Sequence, residues 1–185
     1  MATLLISVNE VKKRSYLDDN VDDKIIKIGL VNAQEQMLEP TIGTKLYDKL
    51  IEDTEANNMA TKYQTLLVDY IWNVLINATM YIVVRNLMFR YTRSGIVQSE
   101  NSNSRAIDMQ QLNGLKHEYD DAYNWHVKKL KLYLNRNASN FPEYLSPDLD
   151  DVPANFGKNL PFYYEPYDYF EDGTVGPSNY HFYKN

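Results

Sequence analysis

The sequence predicts an all-α fold: a helical bundle built on two long antiparallel helices, at about 61–91 and 104–136, with shorter N-terminal helices and an extended C-terminal arm. Three observations carry this. Apolar and aromatic residues at 63, 67, 70, 74, 78, 81 and 88 keep the three-four spacing of one helical face. Leu112, Leu115, Tyr119, Ala122, His126, Leu130 and Tyr133 repeat that spacing in a second long stretch. No convincing strand pattern or internal repeat interrupts the first 140 residues.

The stretch Thr61–Tyr91 is the centre of the chain. Trp72, Leu75, Ile76, Ile82, Val83 and Leu87 make it apolar on its other side too, as a helix buried among helices or in a membrane would be. The run without charge between Asp69 and Arg85 is only 15 residues and contains Asn73, Asn77 and Thr79. A membrane span needs about 18 or more apolar residues, so a central core helix is expected. At 1.5 Å per residue it would run about 45 Å.

Taken in order, Ser7 and Glu10 form a capping-box pair that opens a short helix to about Arg14. Asn20 is placed to cap a longer helix, with Asp22 and Asp23 at its positive N-terminal end. Ile26, Leu30, Ala33 and Met37 form the apolar face of this helix, widened by Ile25 and Ile28. Glu39-Pro40 should stop it, because a residue before proline is pushed out of the helical region. The acids Asp18, Asp19, Asp22 and Asp23 lack the glycine and distal glutamate of a calcium loop, so they read as helix-start acids.

Gly43 allows a tight turn, and Lys45 to about Thr54 forms a third helix in which Leu46 meets Leu50 and Tyr47 meets Ile51. Residues 55–60 are a polar link to the central helix, which Thr61 and Gln64 should open with a second capping box. Residues 92–103 are long and polar for a connection between packed helices, and read as either a partner-facing loop or a mobile one. Ser104 is the expected cap of the last helix. Lys128, Lys129, Lys131 and Arg136 near its end are a solvated helix terminus or a site for phosphate or an acidic partner. Regular structure is expected to end over Asn135–Asn140.

Charge divides the chain in two. Residues 141–185 hold eight acids (Glu143, Asp148, Asp150, Asp151, Glu165, Asp168, Glu171, Asp172) against Lys158 and Lys184, which accounts for the whole net charge of −6. The same residues carry six of the seven prolines and half of the aromatic side chains. This gives a helical body, 1–140, and an acidic, aromatic, proline-rich arm, 141–185. Disordered segments are usually poor in aromatics, so the arm calls for a surface to bind. Fully extended at about 3.3 Å per residue it would reach beyond one small domain. Phe156, Phe162, Tyr163, Tyr164, Tyr167, Tyr169, Phe170, Tyr180, Phe182 and Tyr183 are its candidate anchors on a neighbouring subunit or partner. An arm wrapped on its own body is the alternative.

No reactive constellation stands out. His117 and His126 lie about 180° apart around one helix and cannot share a metal; His126 reads as a packed core histidine. The glycines are scattered singly, with no phosphate-binding or nucleophile-elbow motif. Asp120 and Asp121 are adjacent and point apart. No cysteine is present, which excludes disulfides and fits a reducing compartment. The isoelectric point of about 5.1 argues against general nucleic-acid binding. The N-terminus shows no secretory leader pattern. The expectation is therefore a chain without catalysis, cofactor or metal, working by association.

The order of motifs also resembles the phage head-to-tail connector (adaptor) proteins, closest to versions from phages of gut Bacteroidota, including the crAss-like group. A helix ending in Ala33, Gln34, Leu38, Pro40 and Ile42 leads into Gly43, Leu46, Tyr47, Asp48 and Leu50. A long apolar helix, the loop Ser94-Gly95-Ile96-Val97 and a second long helix with Leu130, Tyr133 and Leu134 follow. Phe141, Pro142 and Tyr144 close the resemblance, which covers about residues 15–145. It implies an all-α bundle assembled as a ring, usually of twelve copies, in the virion neck. There the ring joins the portal to the tail and lets DNA pass without specific binding, with no membrane involved; assembly takes place in the host cytoplasm. It also implies that the C-terminal segment grips the portal, an adjacent subunit or another neck or tail protein. Pro40, Gly43, Leu46 and Tyr47 then form the family's turn, and Arg93, Ser94, Gly95, Ile96 and Val97 are a candidate lumen or ring-contact loop. The alternatives are another neck or tail-completion ring protein, or a small helical binding module that uses its aromatic arm.

Overall fold

A computed structural model describes residues 3–92, 95–98, 108–145 and 154. The helices are α1 (Val8–Arg14), α2 (Asp23–Ala33), α3 (Glu39–Ile42), α4 (Thr44–Glu55), α5 (Thr61–Thr65), α6 (Trp72–Met88), α7 (Met109–Arg136) and α8 (Pro142–Leu145). Two short strands, β1 (Phe89–Thr92) and β2 (Gly95–Gln98), pair antiparallel between α6 and α7. The fold is all-α, as expected, with α6 packed against both α2 and α7. Ile71, Val74, Leu75, Ala78 and Val83 of the central helix are fully buried with Ile26, Leu30 and Ala33 of α2 and Leu130 and Leu134 of α7. Thr61–Leu87 is long and apolar enough to cross a membrane, and 56% of its most apolar stretch is buried within the protein.

The N-terminus is tied down by side chains rather than by helix propensity. The Leu5 N–H donates to Gln34 Oε1 at 2.9 Å, and Gln34 Nε2 donates to the Thr3 carbonyl at 3.0 Å. Trp72 Nε1 donates to the Leu5 carbonyl at 2.9 Å, so one amide and one indole hold this segment as a neighbouring strand would. Leu5 and Ile6 are buried as a result. Ser7 caps α1 as expected, accepting from the Glu10 N–H. Buried Lys12 then closes the following loop. Its Nζ donates to the carbonyls of Asp19 and Val21, both at 2.7 Å, and pairs with Asp23 at 2.6 Å.

Several local expectations are corrected. Asp22, not Asn20, caps α2 by accepting from the Lys24 N–H; Asn20 folds back on the Asp18 carboxylate instead. Gly29 rather than Ile28 completes the buried face of α2, leaving Ile28 exposed. Pro40 does not stop the helix, which continues through a π turn, Gln34–Leu38, into α3. In that turn the Glu39 N–H reaches back five residues to the Gln34 carbonyl, which loosens the helix just before the proline ring. Thr41 Oγ1 and Tyr123 Oη both donate to the Met37 carbonyl, at 2.7 and 3.2 Å, so α7 supports the joint from outside.

The stop comes at Gly43, with φ 83° and ψ 149°. This is a region open essentially to glycine alone, and Gly43 is buried there. Gly43→Val is expected to cost about 2–3 kcal/mol, lowering the thermal midpoint by roughly 5–10 °C. An unchanged melting curve would refute a conformational requirement at this position. The expected Thr61–Gln64 box is also absent: Ala60 is the N-cap, and Gln64 Nε2 donates to the Met59 carbonyl. A second π turn, Leu66–Ile71, joins α5 to α6.

The central helix ends at Met88, not Tyr91, and part of the expected loop 92–103 is the hairpin, with Phe89 paired to Gln98 and Thr92 to Gly95. Ser104 lies outside the described residues. The cap of α7 is Asp108, whose capping box with Gln111 satisfies N–H groups at both positions and starts the helix at Met109. Regular structure continues through a 3-10 turn, Ala138–Asn140, and past residue 140 into α8. The helical body therefore extends beyond residue 140, with α8 packed against α4.

Candidate interaction surface

At the end of the body where α7 and α8 meet α5, aromatic side chains gather. Phe141 is 1% exposed, edge-on to Tyr63 at 5.5 Å and tilted against Tyr133 at 6.0 Å. Tyr133 stacks on Tyr70 at 4.1 Å. Tyr63 Oη donates to Glu143 at 2.9 Å, and Lys62 Nζ donates to the Asn140 carbonyl at 2.6 Å. Burial, reinforced by the Glu143 carboxylate, pushes the Tyr63 phenol up to about 12. Burial alone takes Tyr144 to about 12. These groups fasten the start of the central helix to the segment from which the remaining chain departs.

Along α7 the arrangement is different. Leu112, Leu130 and Leu134 are buried, and Tyr119, Tyr123 and Tyr133 lie half-buried beside them. His126 is half-buried rather than core, edge-on to Trp125 at 4.7 Å; burial and then Lys129 depress its basicity. The outward side carries Trp125 at 59% exposure and Leu132 at 49%. Seven residues is nearly two helical turns, so these two share one line on the solvent side. Lys129 Nζ lies 5.5 Å from the Trp125 ring, and Lys128 and Arg136 are exposed nearby. The basic patch read from sequence is thus an apolar and cationic stripe. Trp125 and Leu132 lie outside the three-four series that marks the packed face of α7, and the sequence alone assigns them no surface.

The other sequence-derived sites fall as follows. Leu46 is buried, and the Tyr47 hydroxyl accepts from Gln34 Nε2 at 3.3 Å, so with Pro40 and Gly43 they build an internal joint. Gly95, Ile96 and Val97 are in β2, whereas Arg93 and Ser94 lie outside the described residues. All ten arm anchors, from Phe156 to Tyr183, also lie outside them. Among the described residues no three acids or histidines are placed to hold a metal. A shallow open groove is lined by Tyr81, Asn113, Lys116, His117 and Asp120, with Lys116 Nζ 4.4 Å from the Tyr81 ring.

Fold and surface together define a helical-bundle protein with an exposed apolar and basic stripe on its last long helix. Residues 38–151 match a family described as "Family of unknown function (DUF6712)", and the chain belongs to that family. No curated protein and no solved structure matches the chain.

Proposed function

We propose that this protein is a non-catalytic structural subunit of a phage neck, assembling as a ring that joins the portal to the tail and leaves a channel for DNA. The observation that carries the reading is the outward stripe of α7, where Trp125 and Leu132 stand in solvent on a 28-residue helix whose opposite side is packed. A solitary bundle gains nothing by exposing a tryptophan and a leucine in line; a subunit with a neighbour does. The motif order from Ala33 to Tyr144 supports a connector, and the acidic balance suits a channel that must not hold DNA by phosphate contacts.

Light scattering and electron microscopy of the full chain, alone and with its portal, test this. Twelve copies of 21.6 kDa give particles of about 260 kDa with a central hole. A monomer or dimer under both conditions rejects the ring and favours a helical binding module. Removing Phe156–Asn185 is expected to reduce assembly at least tenfold at equal concentration. Full assembly without those residues would show that the arm is not a connecting element.

A further inference from the structure

We infer that the C-terminal half of α7 receives the acidic aromatic arm of a second copy, with residues 164–171 lying along its outward stripe. This rests on the ring reading and adds to it the receiving surface and the register. From Ala122 to Asn140 the sequence holds no acid, while Lys128, Lys129, Lys131 and Arg136 all fall there. Among the described residues no carboxylate pairs with Lys128, Lys129 or Arg136. Trp125 and Leu132 stand about 10.5 Å apart along the axis, and Lys129 and Arg136 repeat that separation on the adjoining line. The contact between Lys129 Nζ and the Trp125 ring already makes cation and indole one surface.

The arm carries the complementary pattern. Tyr164, Tyr167 and Phe170 recur every third residue, and Glu165, Asp168 and Glu171 follow them one position on. No Lys or Arg occurs between Lys158 and Lys184. Three is the period of the polyproline II helix, which Pro166 favours, and its turn advances about 9.3 Å. In that form the segment sets an aromatic stripe beside an acidic one, at close to the spacing of the two lines on α7. Rings then meet Trp125 and Leu132 while carboxylates meet Lys129 and Arg136. Arm of one copy on body of the next is a heterologous contact, the kind that closes into a ring when its rotation permits.

The test mixes light and heavy-nitrogen copies of the full chain before assembly, then couples carboxylates to amines with a zero-length carbodiimide and maps the linked peptides. Links from Lys128 or Lys129 to Glu165, Asp168 or Glu171 are expected, with roughly half joining a light peptide to a heavy one. Trp125→Ala combined with Lys129→Glu should reduce the links through Lys128 about tenfold while leaving the helical circular dichroism unchanged, since both substituted side chains are solvent-facing. Adding Glu165→Lys and Asp168→Lys to Lys129→Glu should restore assembly. Links confined to peptides of the same isotope would place the arm on its own body and overturn the inference. Rings whose links avoid α7 would overturn it too but leave the ring standing. Monomers with no inter-copy links would reject both.

Discussion

Gly29→Leu is expected to destabilise the body by about 3 kcal/mol or more. A Cβ at residue 29 would overlap Val83 Cγ2, inside any tolerable contact, and lie 3.7 Å from Thr79 Cγ2. Val83 is β-branched on a helix and has one favoured rotamer, so it cannot swing aside cheaply. The helices α2 and α6 must separate instead, loosening the contacts of Ile26, Leu30 and Ala33 with the central helix. Gly29→Ala sets about 1 kcal/mol of gained helix propensity against about 1–3 kcal/mol of overpacking, so a small net loss is expected. Chemical denaturation checks both. A double-mutant cycle of Gly29→Ala with Val83→Ala should give a favourable coupling of about 1 kcal/mol or more. Additive changes would mean that the close approach has no energetic consequence.

That contact illustrates what the sequence could and could not disclose. The long helices were legible because apolar spacing over twenty or more residues has no competing explanation. Gly29 was not legible: nothing near it states that Val83 crosses there, and a lone glycine in a helical pattern usually reads as a mild defect. Pro40 misled for a related reason. The rule for residues before proline is local, whereas the π turn that accommodates Pro40 is supported by Tyr123, far along the chain. The hairpin escaped because each strand is only four residues, too short for period two to be told from the end of a helix.

Caps were half legible. Ser7 was found because its partner sits at the expected offset, and Asp108 was passed over for Ser104 although Asp108 and Gln111 also form a capping box. Gly43 was legible as the site of a tight turn; that it is the single residue joining two helices was not, because Pro40 was expected to end the first of them. For the interaction surface the basic residues were visible as composition. Their union with Trp125 and Leu132 needed the buried face of α7 to be known, because only then is the opposite line defined.

Phe141→Ala is expected to cost about 3–5 kcal/mol, as for other buried phenylalanines truncated in a tight site. The ring is enclosed by Tyr63 and Tyr133, with Lys62 Nζ 5.9 Å from its centroid, and few of these can collapse into the space. The loss should have an electrostatic signature as well. In the wild type, Tyr63 and Tyr144 ionise only at about 12, against an ordinary phenol value of 10.0. A pKa raised by folding means that the unfolded chain loses its proton first. The stabilisation is therefore complete below pH 10 and declines as pH rises from about 10 to 12. Opening the cluster to water should bring Tyr63 back toward 10, which ultraviolet titration of Phe141→Ala reads directly. Titration identical to the wild type would show that Phe141 does not seal the cluster.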